Sequence, residues 1–254
     1  MLTSELISAF LTLTFLEIVL GIDNIIFISI LADRFPKQER KKLMRIGLLL
    51  AMFTRIALLF GVSVLVKMRQ PFWTFETSHF SSAISVEALI LFLGGLFLIY
   101  KSTHEIFQKV EAKVEESVLE EKPKKPLRVL NALFQIVIID IIFSFDSILT
   151  AVGMTNGISH AFGVMVSAVI VSIILMITFA GVINSFMNQH PSLQVLGLSF
   201  LLLIGFMLIA EGAHQSNTLI FGNSIGTIPK GYLYFAIAFS LGVEMINMRI
   251  KRKS

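Results

Sequence analysis

Glu17-Ile-Val-Leu-Gly-Ile-Asp23-Asn24 lies inside an apolar run, residues 6–31, whose only charges are the two acids quoted. A run of about 20 apolar residues is the length that crosses a bilayer core as a helix. Further runs occupy residues 43–66, 83–100, 129–152, 162–187, 193–214 and 232–248. The weakest boundary separates the fifth from the sixth, where Asn188, Gln189, His190 and Pro191 interrupt the pattern; proline after polar residues reads as a turn. The expected fold is an all-α membrane protein of seven transmembrane helices.

Composition agrees. Apolar residues make up 55% of the 254 and charged residues 15%, with a mean hydropathy of +0.83. A soluble domain carries about 25% charged residues. There is no cysteine, which excludes disulfides and thiolate metal sites. The 11 methionines are scattered among apolar neighbours and read as packing residues. Residues 1–4 hold no basic residue and no small-residue cleavage site follows, so the first run reads as a retained span rather than a signal peptide.

The net charge of +4 and pI near 9.4 suggest nucleic acid only until the charges are placed. Arg34, Lys37, Arg40, Lys41, Lys42 and Arg45 follow the first run. Lys101, Lys109, Lys113, Lys122, Lys124, Lys125 and Arg128 follow the third, and Arg249, Lys251, Arg252 and Lys253 form the tail. The opposite side has only Lys67, Arg69 and Lys230. By the positive-inside rule the N-terminus is outside and the C-terminus cytoplasmic. The basic balance orients the chain, and no nucleic-acid partner is expected.

The chain also repeats itself. A constant offset aligns the opening stretch with Asp140-Ile-Ile-Phe-Ser-Phe-Asp146-Ser147, pairing Gly21 with Ser144. A weaker echo aligns Gly95 and His104 with Gly205 and His214. Three spans per copy is an odd number, so the second copy enters the membrane inverted, as in many secondary transporters. The expected organisation is one transmembrane domain: repeat one at about 5–105, a cytoplasmic linker at about 106–128, repeat two at about 129–214, and an extra helix at about 231–248. In the linker, Ile106, Val110, Val114 and Val118 recur at helical spacing, and Glu105 stands four residues before Lys109. This predicts an extension of the third helix that stops before Pro123.

Glu17 and Asp140 stand near the middle of their runs, with Asp23 and Asp146 about 9 Å further along. Each ionised acid at that depth costs roughly 2.5–3.5 kcal/mol. Such a cost points to a positively charged passenger or to protons. Residues six apart differ by about 120° around a helix. A shared ion would therefore require the helix to deform at Gly21 and Ser144; alternatively Gly21 only permits close packing. Carboxylate, amide and hydroxyl are hard donors suited to Mg²⁺, Ca²⁺ or Mn²⁺. Arg55 and Glu87 are expected to pair with each other. His104, Glu211 and His214 fall near helix ends and read as solvated, and Glu244 as reaching the interface.

The two acidic motifs, with Tyr234-Phe-Ala-Ile-Ala-Phe-Ser and Glu244-Met-Ile-Asn247, resemble the TerC family of bacterial membrane proteins, within the lysine-exporter-like superfamily, over nearly the whole chain. The resemblance implies an ion site at Glu17, Asp23, Asn24, Asp140, Asp146 and Ser147. It also implies Mn²⁺ efflux across the bacterial plasma membrane, with no fixed cofactor and no enzyme activity. Partners expected are the metal ion, the lipid bilayer, and either further copies of this chain or secretion machinery. Two other classes compete: an intramembrane aspartyl protease, and a non-transporting partner that supplies metal to secreted proteins. The protease signature Gly-x-Gly-Asp is absent, since Leu20 and Ile22 precede Asp23, and Phe143 and Phe145 precede Asp146.

Overall fold

The computed structural model describes residues 2–77, 79–115, 129–155 and 160–251; within its helices the side chains of residues 2, 3, 20, 22, 23, 37, 112–115, 146, 188 and 251 also lie outside the description. Seven of the described helices are long and apolar enough to cross a membrane. The expected all-α fold of seven spans is what the chain adopts.

In chain order the elements begin with α1 (Leu2–Ala32), α2 (Lys37–Phe60) and α3 (Val62–Lys67). The strands β1 (Pro71–Thr77) and β2 (Phe80–Ser85) come next. Four long helices follow: α4 (Val86–Glu115), α5 (Val129–Met154), α6 (Ala161–Gln189) and α7 (Pro191–Gln215). Strands β3 (Leu219–Ile220) and β4 (Asn223–Ser224) precede the last helix, α8 (Lys230–Lys251). Packing divides the chain into two compact units, Met1–Met68 with Lys125–Phe186, and Arg69–Lys124 with Met187–Ser254. The units interleave along the sequence: the first takes the first two spans of each half, the second takes the third span of each half and α8.

In the first unit, the turn from α1 to α2 is held by Arg40. Its Nη1 pairs with Asp33 Oδ1 at 2.9 Å, while Nε and Nη2 donate to the carbonyls of Phe35 and Asp33. One guanidinium thus satisfies acceptors that the end of α1 leaves open. Gly47 of α2 is the close-approach point of three helices, since a Cβ there would lie 2.9 Å from Ile136 Cδ1 of α5 and 3.7 Å from Ile28 Cγ2 of α1. The expected single span 43–66 is corrected. Its helix closes at Phe60, Gly61 turns the chain (φ −81°, ψ 8°), and α3 continues as a separate short helix.

In the second unit, α4 and α7 run antiparallel: Gly212 faces Ala88, Gly205 faces Gly95, and Lys109 donates to Oε1 of Gln194. The third span begins at Val86 rather than 83, because Phe80–Ser85 pairs as a strand. Ser85 caps the helix, its Oγ accepting from the Ala88 amide at 3.1 Å. The four strands form one small antiparallel sheet in the order β1-β2-β3-β4. The helical extension of the third span runs as far as Glu115, with Lys101 and Glu105 paired at 2.9 Å. The rest of the linker, Pro123 included, lies outside the described residues. The predicted break between the fifth and sixth spans falls where expected, with α6 ending at Gln189 and Pro191 opening α7.

Large apolar side chains such as Phe15, Phe53, Phe235 and Phe239 are exposed. That is the surface a helix presents to hydrocarbon, where burial against water is not at issue.

Candidate cation site

The site forms in the first unit, where three apolar helices bring their few polar side chains together. Glu17 and Asn24 stand on α1, Arg55 on α2, and Asp140, Ser144 and Ser147 on α5. Glu17, Asn24, Arg55, Asp140, Ser144 and Ser147 are all buried. Arg55 is the largest fully buried side chain of the protein among the described residues. Its Nη1 donates to Glu17 Oε2 and its Nε to Asp140 Oδ1 at 3.2 Å. One planar guanidinium therefore links all three helices. Asp140 Oδ1 also accepts from Asn24 Nδ2 at 3.1 Å.

Asp140 is unevenly used. Its Oδ1 takes two donors and the Ser144 hydroxyl also acts on this carboxylate, whereas Oδ2 and Asn24 Oδ1 have no partner at hydrogen-bond distance. An unmatched buried acceptor costs about 1–3 kcal/mol, so two of them in one cluster are a feature to be explained. Both are hard oxygen donors. Ser147 gives its proton to the Ser144 carbonyl at 3.2 Å, which leaves its lone pairs available as acceptors.

Glu17, Asn24 and Asp140 come together around Arg55. The side chains of Asp23 and Asp146 lie outside the described residues, although the backbone of each is helical. Among the described residues no group of three acids or histidines gathers closely enough to hold a metal. The described cluster is two carboxylates, one amide and one guanidinium.

One expectation is corrected. Arg55 does not pair with Glu87: it serves Glu17 and Asp140, while Glu87 accepts from Arg69 Nε at 3.0 Å in the second unit. The signal that assigns Arg55 correctly is depth. It stands inside its apolar run, as Glu17 and Asp140 do in theirs, whereas Glu87 opens its helix. Helix deformation at Gly21 and Ser144, which the sequence left open against close packing, does not occur. Both α1 and α5 are continuous α-helix through Gly21 and Ser144. A Cβ on Gly21 would collide with Met176 Sδ of α6, so this glycine admits a neighbouring side chain rather than breaking its helix.

The groups at helix ends are used locally. His104 is exposed, stacks on Tyr100 and shares a 2.8 Å hydrogen bond with Gln108. His214 Nδ1 is 3.0 Å from the Ile225 carbonyl oxygen, and Glu211 accepts from Gln215. Glu244 of α8 accepts from Ser192 Oγ of α7 and is half-buried.

The profile of the Integral membrane protein TerC family matches residues 2–254. A UPF0053 protein of Haemophilus influenzae is 43% identical over 241 residues, covering 95% of this chain and 92% of the relative. UPF0053 inner membrane protein YgdQ of Escherichia coli is 42% identical over 243 residues, covering 96% of this chain and 92% of the relative. UPF0053 protein YegH of the same species is 42% identical over 237 residues, which is 93% of this chain but 41% of that longer protein. No solved structure matches. Because the profile takes in all seven spans and both acidic motifs, the chain belongs to the TerC family of integral membrane proteins.

Proposed function

We propose that this protein moves a divalent cation across the bacterial inner membrane. The coarse reading, a multi-pass protein with a transport role, rests on its seven apolar helices, its family and a close relative named as an inner membrane protein. The finer reading is Mn²⁺ efflux through Glu17, Asp23, Asn24, Asp140, Asp146 and Ser147, with protons exchanged for the ion. The lysine and arginine bias places the N-terminus outside.

One observation carries the cation reading: Glu17 and Asp140 meet in a sealed cluster where Asp140 Oδ2 and Asn24 Oδ1 accept nothing. With both ionised, those two acids would carry −2 against the +1 of Arg55. A cluster built only for stability would balance its charge and fill its acceptors. Hard oxygens and residual negative charge suit a divalent cation. The inverted repeat supports the same reading, since it relates the α1 acids to the α5 acids across the site.

The test is Mn²⁺ flux in proteoliposomes, comparing wild type with Asp23→Asn and Asp146→Asn. Both substitutions should abolish flux and leave the fold intact, since each removes a charge with little change of shape. Retained flux in both overturns the site assignment. Flux indifferent to a pH gradient removes proton coupling. Binding without flux turns the reading toward a metal-supplying partner.

A further inference from the structure

We propose that Arg55 is a built-in counter-cation, which holds the Glu17 and Asp140 carboxylates between cargo ions and must leave them before a divalent cation can bind. This rests on the cation reading above and adds the step that fills and empties the site.

Arg55 already holds lone pairs that an ion would need. It commits Nη1 to Glu17 Oε2 and Nε to Asp140 Oδ1, so a single side chain occupies one oxygen of each acid. Those oxygens are the ones an ion between α1 and α5 would use. The oxygens left over, Asp140 Oδ2 and Asn24 Oδ1, sit in the same cluster and accept no hydrogen bond. They are hard donors that can join the ion's ligands once Arg55 withdraws.

Shared oxygens set up the exchange: Arg55 donates to one oxygen of each described carboxylate, so an ion using those oxygens competes with it directly. An ion and Arg55 on the same oxygens would repel strongly in so buried a place, where little water screens them. Arginine does not deprotonate in proteins, so its charge can be removed only by moving the side chain. Arg55 is carried by α2, and its partners by α1 and α5. Binding the ion therefore unfastens α2 from the other two helices, and releasing the ion fastens it again. The exchange gives the cluster two states with different helix contacts, which alternating access requires.

A competing Arg55 and a merely structural one differ in the sign of one effect. If Arg55 competes with cargo, removing its charge tightens binding and slows release; if it only props the site, removing it weakens binding. The experiment measures Mn²⁺ affinity of purified wild type, Arg55→Gln and Arg55→Lys, with flux in proteoliposomes. Arg55→Gln should bind Mn²⁺ about tenfold more tightly or better and turn over more slowly, and Arg55→Lys, which keeps the charge, should lack the tightening. Wild type that binds Mn²⁺ while folded Arg55→Gln binds no tighter overturns the counter-cation and leaves the cation reading standing. Wild type that binds none of Mn²⁺, Mg²⁺ or Ca²⁺ overturns both. Should Arg55→Gln not fold, labelling of wild type decides. Mn²⁺ should raise modification of Arg55 by an arginine-specific dicarbonyl, read on its peptide by mass spectrometry; unchanged or lower labelling overturns the proposal.

Discussion

Gly95 and Gly205 pack backbone against backbone: a Cβ on Gly95 would lie 2.6 Å from the Gly205 carbonyl oxygen, and one on Gly205 would lie 2.9 Å from that of Gly95. Ile209 and Ile99 flank the contact from the two sides in the same reciprocal way. Small residues at such a crossing let two helices approach closely where lipid supplies no hydrophobic drive.

Neither carbonyl can swing aside as a side chain would. Gly95→Ala and Gly205→Ala should each destabilise the protein by about 1–3 kcal/mol through overpacking. Gly153→Ala is the control, since nothing lies within 4 Å of a Cβ there; it should be neutral or gain up to about 1 kcal/mol from helix propensity. Thermal unfolding in detergent reads both. A Gly205→Ala melt equal to wild type would contradict the close crossing.

Gly21 is crowded by the flexible end of Met176 instead of by backbone. Gly21→Ala alone should cost about 1 kcal/mol, because Met176 must find another rotamer. In a Met176→Ala background the same change should become neutral or stabilising, leaving about 1 kcal/mol or more of coupling between the two sites. Additive effects in a double-mutant cycle would refute the contact.

Truncation of Asp140 strips Arg55 of one of its two partners in a fully buried setting. Asp140→Ala should therefore lower stability by about 3–5 kcal/mol, the range for breaking a buried pair from one side. Asp140→Asn keeps the shape and an acceptor and should cost less, while abolishing Mn²⁺ flux. Equal melting of Asp140→Ala and wild type would show that the pair is not formed in the folded protein.

Ser85 ends β2 and caps α4 in one residue. Ser85→Ala should cost about 1 kcal/mol, and Ser85→Thr should recover most of it. Hydrogen exchange at the Ala88 amide, followed by mass spectrometry, is the direct reading; unchanged protection in Ser85→Ala would rule out the cap.

The residues that were legible from sequence share one property: their signal is local. Each span is announced by its own apolar residues, the α6–α7 turn by Pro191, and the extension of α4 by apolar residues at helical spacing. Glu17 and Asp140 stood out because charge inside such a run is costly wherever the helix packs. The small sheet was not legible. β3 and β4 are two residues each, and the pairing of β3 with β2 joins segments about 140 positions apart, a contact that no local pattern records.

What the sequence determined by itself is therefore the solvent: a chain with seven apolar runs and few charges must lie in a bilayer and must form helices there, because unpaired backbone is intolerable in hydrocarbon. Only the tertiary structure decided which charges meet. Arg55 could have served any mid-span acid, and the close packing of α1, α2 and α5 around Gly47 is what delivered it to Glu17 and Asp140. Gly21 was likewise open to two readings until Met176 was found against it. The physical reason is common to both: burial in lipid depends on each helix alone, whereas pairing depends on the rotation and depth of one helix against another.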